Sequence, residues 1–142
     1  MKTIVIINGP NLNLLGERKP EIYGSQTLEE LIHTIEEYAA DKDLKLEFYQ
    51  SNHEGEIIDI LHSHRNDCDG FILNPGAFTH YSYAIRDAIE AISPPVVEVH
   101  LSDIRSREEF RKISVIEPVS IKQIMGEGIA GYLKAIDFLL SL

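Results

Sequence analysis

A regular alternation of strand-like and helix-like segments constrains the fold of this 142-residue chain more than any other feature. Short apolar runs alternate with longer runs whose apolar residues recur at helical spacing. Strands connected in this way run parallel in one sheet, with right-handed crossovers and helices on both faces. The predicted strands are residues 3–8, 44–50, 70–74, 96–100 and 114–118, and the predicted helices are residues 25–42, 54–66, 80–92 and 128–142.

The pattern therefore predicts an α/β fold in a single domain spanning residues 1–142. Its first, third and fourth strands are almost wholly apolar, which suits a sheet that is covered by helices on both faces. Ser25 or Thr27 stands where the N-cap of the first long helix is expected.

The composition narrows the class of protein. A formal charge of -10 argues against nucleic acid or an anionic membrane as the main partner, because both favour clustered Lys and Arg. No apolar run approaches the length of a membrane span, and the N-terminal run is too short for the core of a signal peptide. The single cysteine, Cys68, cannot form an internal disulfide and has no metal-ligand neighbours at finger spacing. We expect a cytoplasmic, metal-independent protein.

Polar residues follow the predicted strands at the points where ligands bind in open parallel sheets, the carboxyl ends of the strands. The first strand leads into Asn8 and a long loop, the third into NPGAFTH (74–80) and the fourth into HLSDIRSREEFR (100–111). If the fold is as predicted, histidines, amides and arginines from these segments converge on one edge of the sheet.

The loop GPNLNLLGERKPEIYG (9–24) is long for a compact domain and carries Arg18 five residues before Tyr23. A free tyrosine, which ionises only near pH 10, is a poor base at neutral pH. A neighbouring guanidinium favours the phenolate and does not compete for its proton. The pair could therefore be a base and its activator, although a surface arginine and a tyrosine that plugs the loop would have the same spacing.

His100 is a candidate general acid. Glu98 lies two residues earlier on the same side of the strand, where it could orient the imidazole and stabilise its protonated form. A carboxylate-supported histidine suits general acid catalysis near neutral pH. Other readings stay open at this point: His100 could be a core histidine, His80 could cap the following helix, and Arg107 could belong to a solvated turn.

Several alternatives are disfavoured. Gly9 and Gly16 have the wrong interval for a phosphate loop, and no Gly-Lys-Ser/Thr follows. His62 and His64 point to different faces of a helix, so a metal site there is improbable. A base and an acid without a cofactor point to proton abstraction with elimination or isomerisation. A flavodoxin-like module that binds a flavin or a phosphorylated ligand is the alternative from another class.

Three segments resemble the signatures of the type II 3-dehydroquinate dehydratases: GPNLNLLGERKPEIYG (9–24), NPGAFTHYSYAIRDAI (74–89) and EVHLSDIRSREEFR (98–111). The resemblance covers nearly the whole chain. It implies a flavodoxin-like three-layer sandwich with a five-stranded parallel sheet, no metal or organic cofactor, and a homododecamer built as a tetramer of trimers. It also implies the anti elimination of water from 3-dehydroquinate.

The resemblance also implies roles for single residues. Tyr23 matches the base, Arg18 its activator, Asn11 the holder of the water that stabilises the enolate, and His100 the acid. Glu98 we assign to orienting His100. The substrate-binding set matches Asn74, His80, Leu101, Ser102 and Arg111, and Asp87 matches a residue that reaches the site of a neighbouring subunit.

The chain departs from the family pattern at Asp103 and Arg105, beside the expected site for the substrate carboxylate. The loop that carries Arg18 and Tyr23 gives one further prediction. We expect Gly16–Gly24 to act as a lid that is mobile when the site is empty and ordered when it is occupied.

Overall fold

The computed structural model describes residues 1–142 and contains one sheet of five parallel strands in the order β2-β1-β3-β4-β5. This order has its switch point between β1 and β3, as in flavodoxin-like folds, and the predicted α/β class is confirmed. The strands are β1 (Lys2–Asn8), β2 (Leu44–Gln50), β3 (Gly70–Asn74), β4 (Val96–His100) and β5 (Lys122–Met125).

The last strand was wrongly predicted at residues 114–118. That segment instead forms a turn in which Ser114 Oγ accepts from the backbone N–H groups of Ile116 and Glu117, followed by a 3-10 turn at Glu117–Val119. The real strand, KQIM, lies at the sheet edge, and only Ile124 in it is buried. An edge strand has one side in solvent, so its polar composition hid it from a search for apolar runs.

The helices lie where they were predicted but are shorter at their ends. A short helix in the first loop precedes four longer ones. Thr27 is the N-cap of α2 and forms a capping box with Glu30, whereas Ser82 caps α4. The helices are α1 (Pro20–Tyr23), α2 (Leu28–Ala39), α3 (Glu54–Ser63), α4 (Tyr83–Ala91) and α5 (Ala130–Leu140).

The two faces of the sheet bury separate apolar cores, which gives the fold its three layers. Alternate residues of β1 point to opposite faces, because the side-chain period of a strand is two. Ile4 and Ile6 pack in a core with side chains of α2 and α5, and Val5 and Ile7 pack in one with side chains of α3 and α4. Burial on both faces explains why the central strands read as continuous apolar runs.

The loops after β1 and β3 dock closely at the carboxyl ends of these strands. Gly9 donates its backbone N–H to the carbonyl of Asn74 at 2.7 Å. A Cβ on Gly9 would lie 2.8 Å from the Pro75 carbonyl group, so only glycine permits this approach. The long first loop continues through a 3-10 turn at Leu12–Leu14 and the short helix α1. None of the helices in the chain is long and apolar enough to cross a bilayer.

Candidate active site

A cleft opens at the carboxyl ends of β1, β3 and β4, where the strand-end rule places ligand sites in open sheets. It encloses about 510 Å³ of empty space, part of it open to solvent. Nine of the predicted site residues line it, together with Arg107, which was not among them. The nine are Asn11, Arg18, Tyr23, Asn74, His80, His100, Leu101, Ser102 and Arg111.

His100 ends β4 and is held from below by Glu98. The two residues lie on the same side of the strand, and His100 Nε2 is 2.5 Å from Glu98 Oε2. Because a carboxylate only accepts, Nε2 is the protonated donor in this contact. His100 is 6% exposed and its Nδ1 makes no hydrogen bond within the chain. Nδ1 is therefore the ring atom left for a ligand.

Glu98 is fully buried, yet every side of its carboxylate has a donor. Besides His100, it accepts from Thr79 Oγ1, from Ser114 Oγ at 2.9 Å and from Gln123 Nε2 at 3.1 Å. Burial acts to raise the pKa of Glu98, but the hydrogen bonds from His100, Thr79 and Ser114 outweigh it and hold the pKa below its ordinary value. Glu98 is thus an ionised carboxylate in the interior of the protein, aimed at His100.

Tyr23 faces the same cleft from α1, at the end of the long loop. Its hydroxyl accepts a hydrogen bond from Arg107 Nη1 at 2.8 Å. The Arg18 guanidinium carbon lies 4.6 Å from the centre of the tyrosine ring, and that of Arg107 lies at 5.3 Å. Two fixed cations therefore flank the phenol.

From the sequence alone, Arg107 could belong to a solvated turn. The structure places it in the site instead. Its position in REEFR gives it no helical or strand periodicity, and the contact spans 84 residues. The available signal was its place in the segment that follows the carboxyl end of β4. That signal identifies the edge of the sheet but does not identify which arginine of the segment turns inward.

Leu101 and Ser102 present two adjacent backbone N–H groups at the mouth of β4. Both residues line the cleft, and neither N–H donates a hydrogen bond within the chain. Consecutive free N–H groups are suitable donors for an anion such as a carboxylate. In a chain with a formal charge of -10, such local donors are what an anionic ligand requires.

Asn11 reaches the cleft from a left-handed backbone conformation with φ 70°. Its backbone N–H donates to Asn52 Oδ1 at 2.9 Å, and Gln50 Nε2 donates to the same oxygen at 3.2 Å. The left-handed region is uncommon outside glycine, although asparagine tolerates it better than most residues. The loop after β2 thus braces the conformation that directs Asn11 to the site.

Asn74 is fixed by a buried chain of hydrogen bonds. Its Nδ2 donates to Tyr132 Oη at 3.0 Å, and Tyr132 in turn donates to Asn8 Oδ1 at 2.6 Å. Asn74 Oδ1 accepts from the backbone N–H of Gly76 at 3.2 Å. Burial raises the pKa of Tyr132 far above its ordinary value, so this phenol acts as a neutral hydrogen-bonding group.

His80 and Arg111 form the wall opposite the first loop. His80 does not cap α4, because Ser82 does. Its Nδ1 lies 2.8 Å from the carbonyl of Ile113, so Nδ1 carries the proton and Nε2 is free to accept. Burial lowers the pKa of His80 and keeps it neutral. Arg111 is held by Glu108 at 2.8 Å and supplies a cation to the cleft.

Three residues of interest lie outside the cleft. Asp87 is exposed on α4 and does not reach the site of its own chain. Asp103 caps the 3-10 turn Ile104–Ser106 by accepting from the N–H of Arg105 at 2.9 Å. Arg105 lies instead in a shallow surface depression beside β5. The two departures from the family pattern therefore do not line the cleft.

Fold and site together define a class of protein: a parallel α/β protein with a polar cleft at the strand ends that is lined by both a phenol bound by arginine and an imidazole bound by a carboxylate. The side chains of the cleft are arginines, histidines, a tyrosine and amides. Nowhere in the chain do three or more His, Cys, Asp or Glu side chains come together in a way that could hold a metal ion.

A family model described as dehydroquinase class II matches residues 2–140, and the chain belongs to that family. The 3-dehydroquinate dehydratase of Bacillus licheniformis is 53% identical over 141 residues, which cover 99% of this chain and 97% of the relative. That of Bacillus subtilis is 52% identical and covers 99% and 95%. The crystal structure of a type II dehydroquinase from Butyrivibrio crossotus superposes with a TM-score of 0.96 at 52% identity, covering 98% and 97% of the two chains.

Proposed function

We propose that this chain dehydrates 3-dehydroquinate to 3-dehydroshikimate by an anti elimination in which Tyr23 is the base and His100 the acid. Membership in the dehydroquinase class II family makes the activity that of a 3-dehydroquinate dehydratase, a hydro-lyase of the shikimate pathway. One observation supports the mechanism above all: an arginine-bound phenol and a carboxylate-bound imidazole face the same cleft.

The first step is removal of the proton next to the substrate ketone. Tyr23 as phenolate takes this proton on its hydroxyl oxygen. Arg107 donates a hydrogen bond to that oxygen, and Arg18 lies over the ring, so both cations stand beside the group that acts as the base. Both arginines keep their own charge throughout, so neither can quench the base by giving up a proton.

The second step needs donors where negative charge develops on the enolate oxygen. Asn11 lies on the cleft wall and, in this proposal, holds the water molecule that donates to this oxygen. The brace from Asn52 keeps Asn11 in place before the substrate arrives. Preorganised donors lower the barrier because they do not have to reorient during the reaction.

The last step is departure of the hydroxyl group. His100, protonated on both ring nitrogens, gives the Nδ1 proton to the leaving hydroxyl, and water is released. The Nε2–H stays hydrogen bonded to Glu98 throughout, so the ring keeps its orientation during the transfer. The electron pair of the breaking C–O bond leaves with the oxygen while the enolate collapses to the conjugated enone.

The substrate carboxylate fits the two free N–H groups of Leu101 and Ser102. Asn74, His80 and Arg111 supply the other donors and acceptors for the hydroxyl groups of the ring. The side chains of Asn74 and His80 are each fixed by a bond to the protein, so their orientation does not depend on the ligand.

We also propose that the chain assembles as a homododecamer, a tetramer of trimers, in which Asp87 reaches the cleft of a neighbouring subunit. Asp87 is exposed and outside its own cleft, as that role requires. The exposed side chains of Tyr81, Tyr83 and Ile113 nearby supply apolar surface for such a contact. Light scattering should give twelve times the 16.1 kDa of one chain. Asp87→Asn should lower activity, whereas the matched control Glu90→Gln on the same helix should not.

The experiment that tests the activity is direct. Purified protein mixed with 3-dehydroquinate should produce a rise in ultraviolet absorbance as the conjugated enone forms. The same sample should contain 3-dehydroshikimate by chromatography. A protein that is folded and oligomeric but gives no rise would contradict the proposal.

A further inference from the structure

We infer that Gln123, on the edge strand β5, is a positioning residue for the acid: together with Thr79 it fixes the carboxylate of Glu98 and so selects the ring nitrogen that His100 presents to the substrate. The inference rests on the proposed function, because it concerns the acid step of that reaction. Gln123 does not line the cleft and makes no hydrogen bond to His100, and no periodicity in the sequence marked it.

Gln123 is placed for this contact by the register of the sheet. It is the partner of Glu98 across the β4–β5 ladder, and its Nε2 donates to Glu98 Oε1 at 3.1 Å. Thr79 approaches from the turn after β3 and donates to the other oxygen, Oε2. Ser114 reaches both oxygens, at 3.0 and 2.9 Å.

The donors divide the two carboxylate oxygens between them. Oε2 faces His100 and Thr79, and Oε1 faces Gln123, so rotation of the carboxylate about its last bond would break contacts at both oxygens. With the carboxylate fixed, the Nε2–H of His100 stays hydrogen bonded to Glu98. Nδ1 is then the only ring position that can carry the transferable proton.

The chemical type of Gln123 matters as well as its position. An amide donates without adding charge, so it stabilises ionised Glu98 and leaves the negative charge available to support the imidazolium. A lysine or arginine in its place would neutralise Glu98. An aliphatic residue would leave Ser114 as the only donor to Oε1. A buried carboxylate is costly unless its oxygens are hydrogen bonded.

The titratable groups around Glu98 are few. His100, on the same strand, is the only one that hydrogen bonds to it. His80, in the turn after β3, lies within the electrostatic influence of Glu98, but burial lowers its pKa and it stays neutral. Arg111 also lowers the pKa of His80, and it bonds to Glu108 rather than to Glu98. On β5, the neighbouring Lys122 is exposed. A shift in the ionisation of Glu98 can therefore be read as a change in its hydrogen bonds.

The test is the pH profile of kcat for Gln123→Met, which keeps the length of the side chain and removes the donor. The pKa of Glu98 is held low, so its ionised form is present at higher pH and is lost as the pH falls. Removing a donor raises that pKa. We expect the acid limb of kcat to move to higher pH, and kcat at neutral pH to fall by about twofold to tenfold because the carboxylate is no longer held in one orientation, with KM changed less than about twofold.

Matched variants separate positioning from stability. Thr79→Val should reproduce the shift of the acid limb, whereas Thr79→Ser, which retains the hydroxyl, should restore the normal profile. Lys122→Met, on the same strand, should leave kcat and the profile unchanged. The inference is overturned if Gln123→Met keeps the wild-type profile, or if it loses activity equally at all pH values together with thermal stability. A wild-type protein without activity would instead refute the proposed function.

Discussion

The two halves of the cleft are built in opposite ways. The acid half stands on the central sheet: His100 ends β4, Glu98 beneath it is fully buried, and the carboxylate has four protein partners. The base half stands on a four-residue helix at the end of a loop, where Tyr23 is half-buried and its hydroxyl has one partner, Arg107.

The surroundings of Tyr23 are also less closely packed than those of His100. A second pocket, partly open to solvent, adjoins Tyr23 and is lined in part by Leu15, Leu31 and Ile129. Behind His100 there is the packed carboxylate network. A group that must be held as an ion at a fixed distance needs the rigid sheet, whereas a group that must admit and release the substrate can lie on a loop. In the proposed mechanism, therefore, the acid is organised by the fold and the base by its arginines.

The largest expected effect is on the base. Tyr23→Phe removes the atom that takes the proton and keeps the ring on which Arg18 stacks, so binding should survive while turnover falls by about 10³-fold or more. Steady-state kinetics combined with calorimetric binding of the product would measure both. Near-normal turnover would remove Tyr23 from the role of base.

The acid should be next in size. His100→Ala leaves Glu98 buried and without its charged partner, and we expect turnover to fall by about 10²- to 10³-fold with some loss of thermal stability. His100→Asn should be milder because an amide can still donate to Glu98. Full activity in the alanine variant would defeat the assignment, and equal losses in both variants would show that positioning contributes little.

The two arginines at Tyr23 should differ in how much they contribute to turnover. Arg107→Gln removes a direct charged hydrogen bond, whereas Arg18→Gln removes only a cation above the ring. We expect the Arg107 variant to lose about tenfold more in kcat at neutral pH than the Arg18 variant. The reverse ranking would restore Arg18 as the principal activator.

The smallest expected effect concerns the mobility of the loop that carries Tyr23. It is also the most direct test of the contrast between the two halves of the cleft. Amide hydrogen exchange across Gly16–Gly24 should be fast in the empty enzyme and slow with 3-dehydroshikimate bound, while α2 stays protected in both states. Equal protection of the segment in the two states would mean that the loop is as fixed as the acid half.

The fold could be read from the sequence because burial on both faces imposes uniform apolar strands. That signal found β1, β3 and β4, and the helices followed from their apolar period and from caps such as Thr27. It failed at β5, where a polar edge strand carries little of the signal, and it took the turn at residues 114–118 for a strand instead.

Contacts of the candidate site could be predicted where they join residues that are close together in the sequence. Glu98 and His100 share one side of a strand, so their contact is fixed by the two-residue period alone. The contacts of Arg107 with Tyr23, of Gln123 with Glu98 and of Asn52 with Asn11 join segments that are distant in the chain. Their formation depends on sheet register and loop docking, which no local pattern records.

Local patterns in the chain were thus enough to predict the parallel sheet, the edge at which the polar groups gather, and the pairing of His100 with Glu98. The docking of distant segments fixes which arginine bonds to Tyr23, which strand completes the carboxylate network, and that Asp103 and Arg105 stay outside the cleft. The two kinds of information differ in range. Periodicity and capping act within a few residues, whereas a hydrogen bond between β4 and β5 exists only once the whole sheet has set its register.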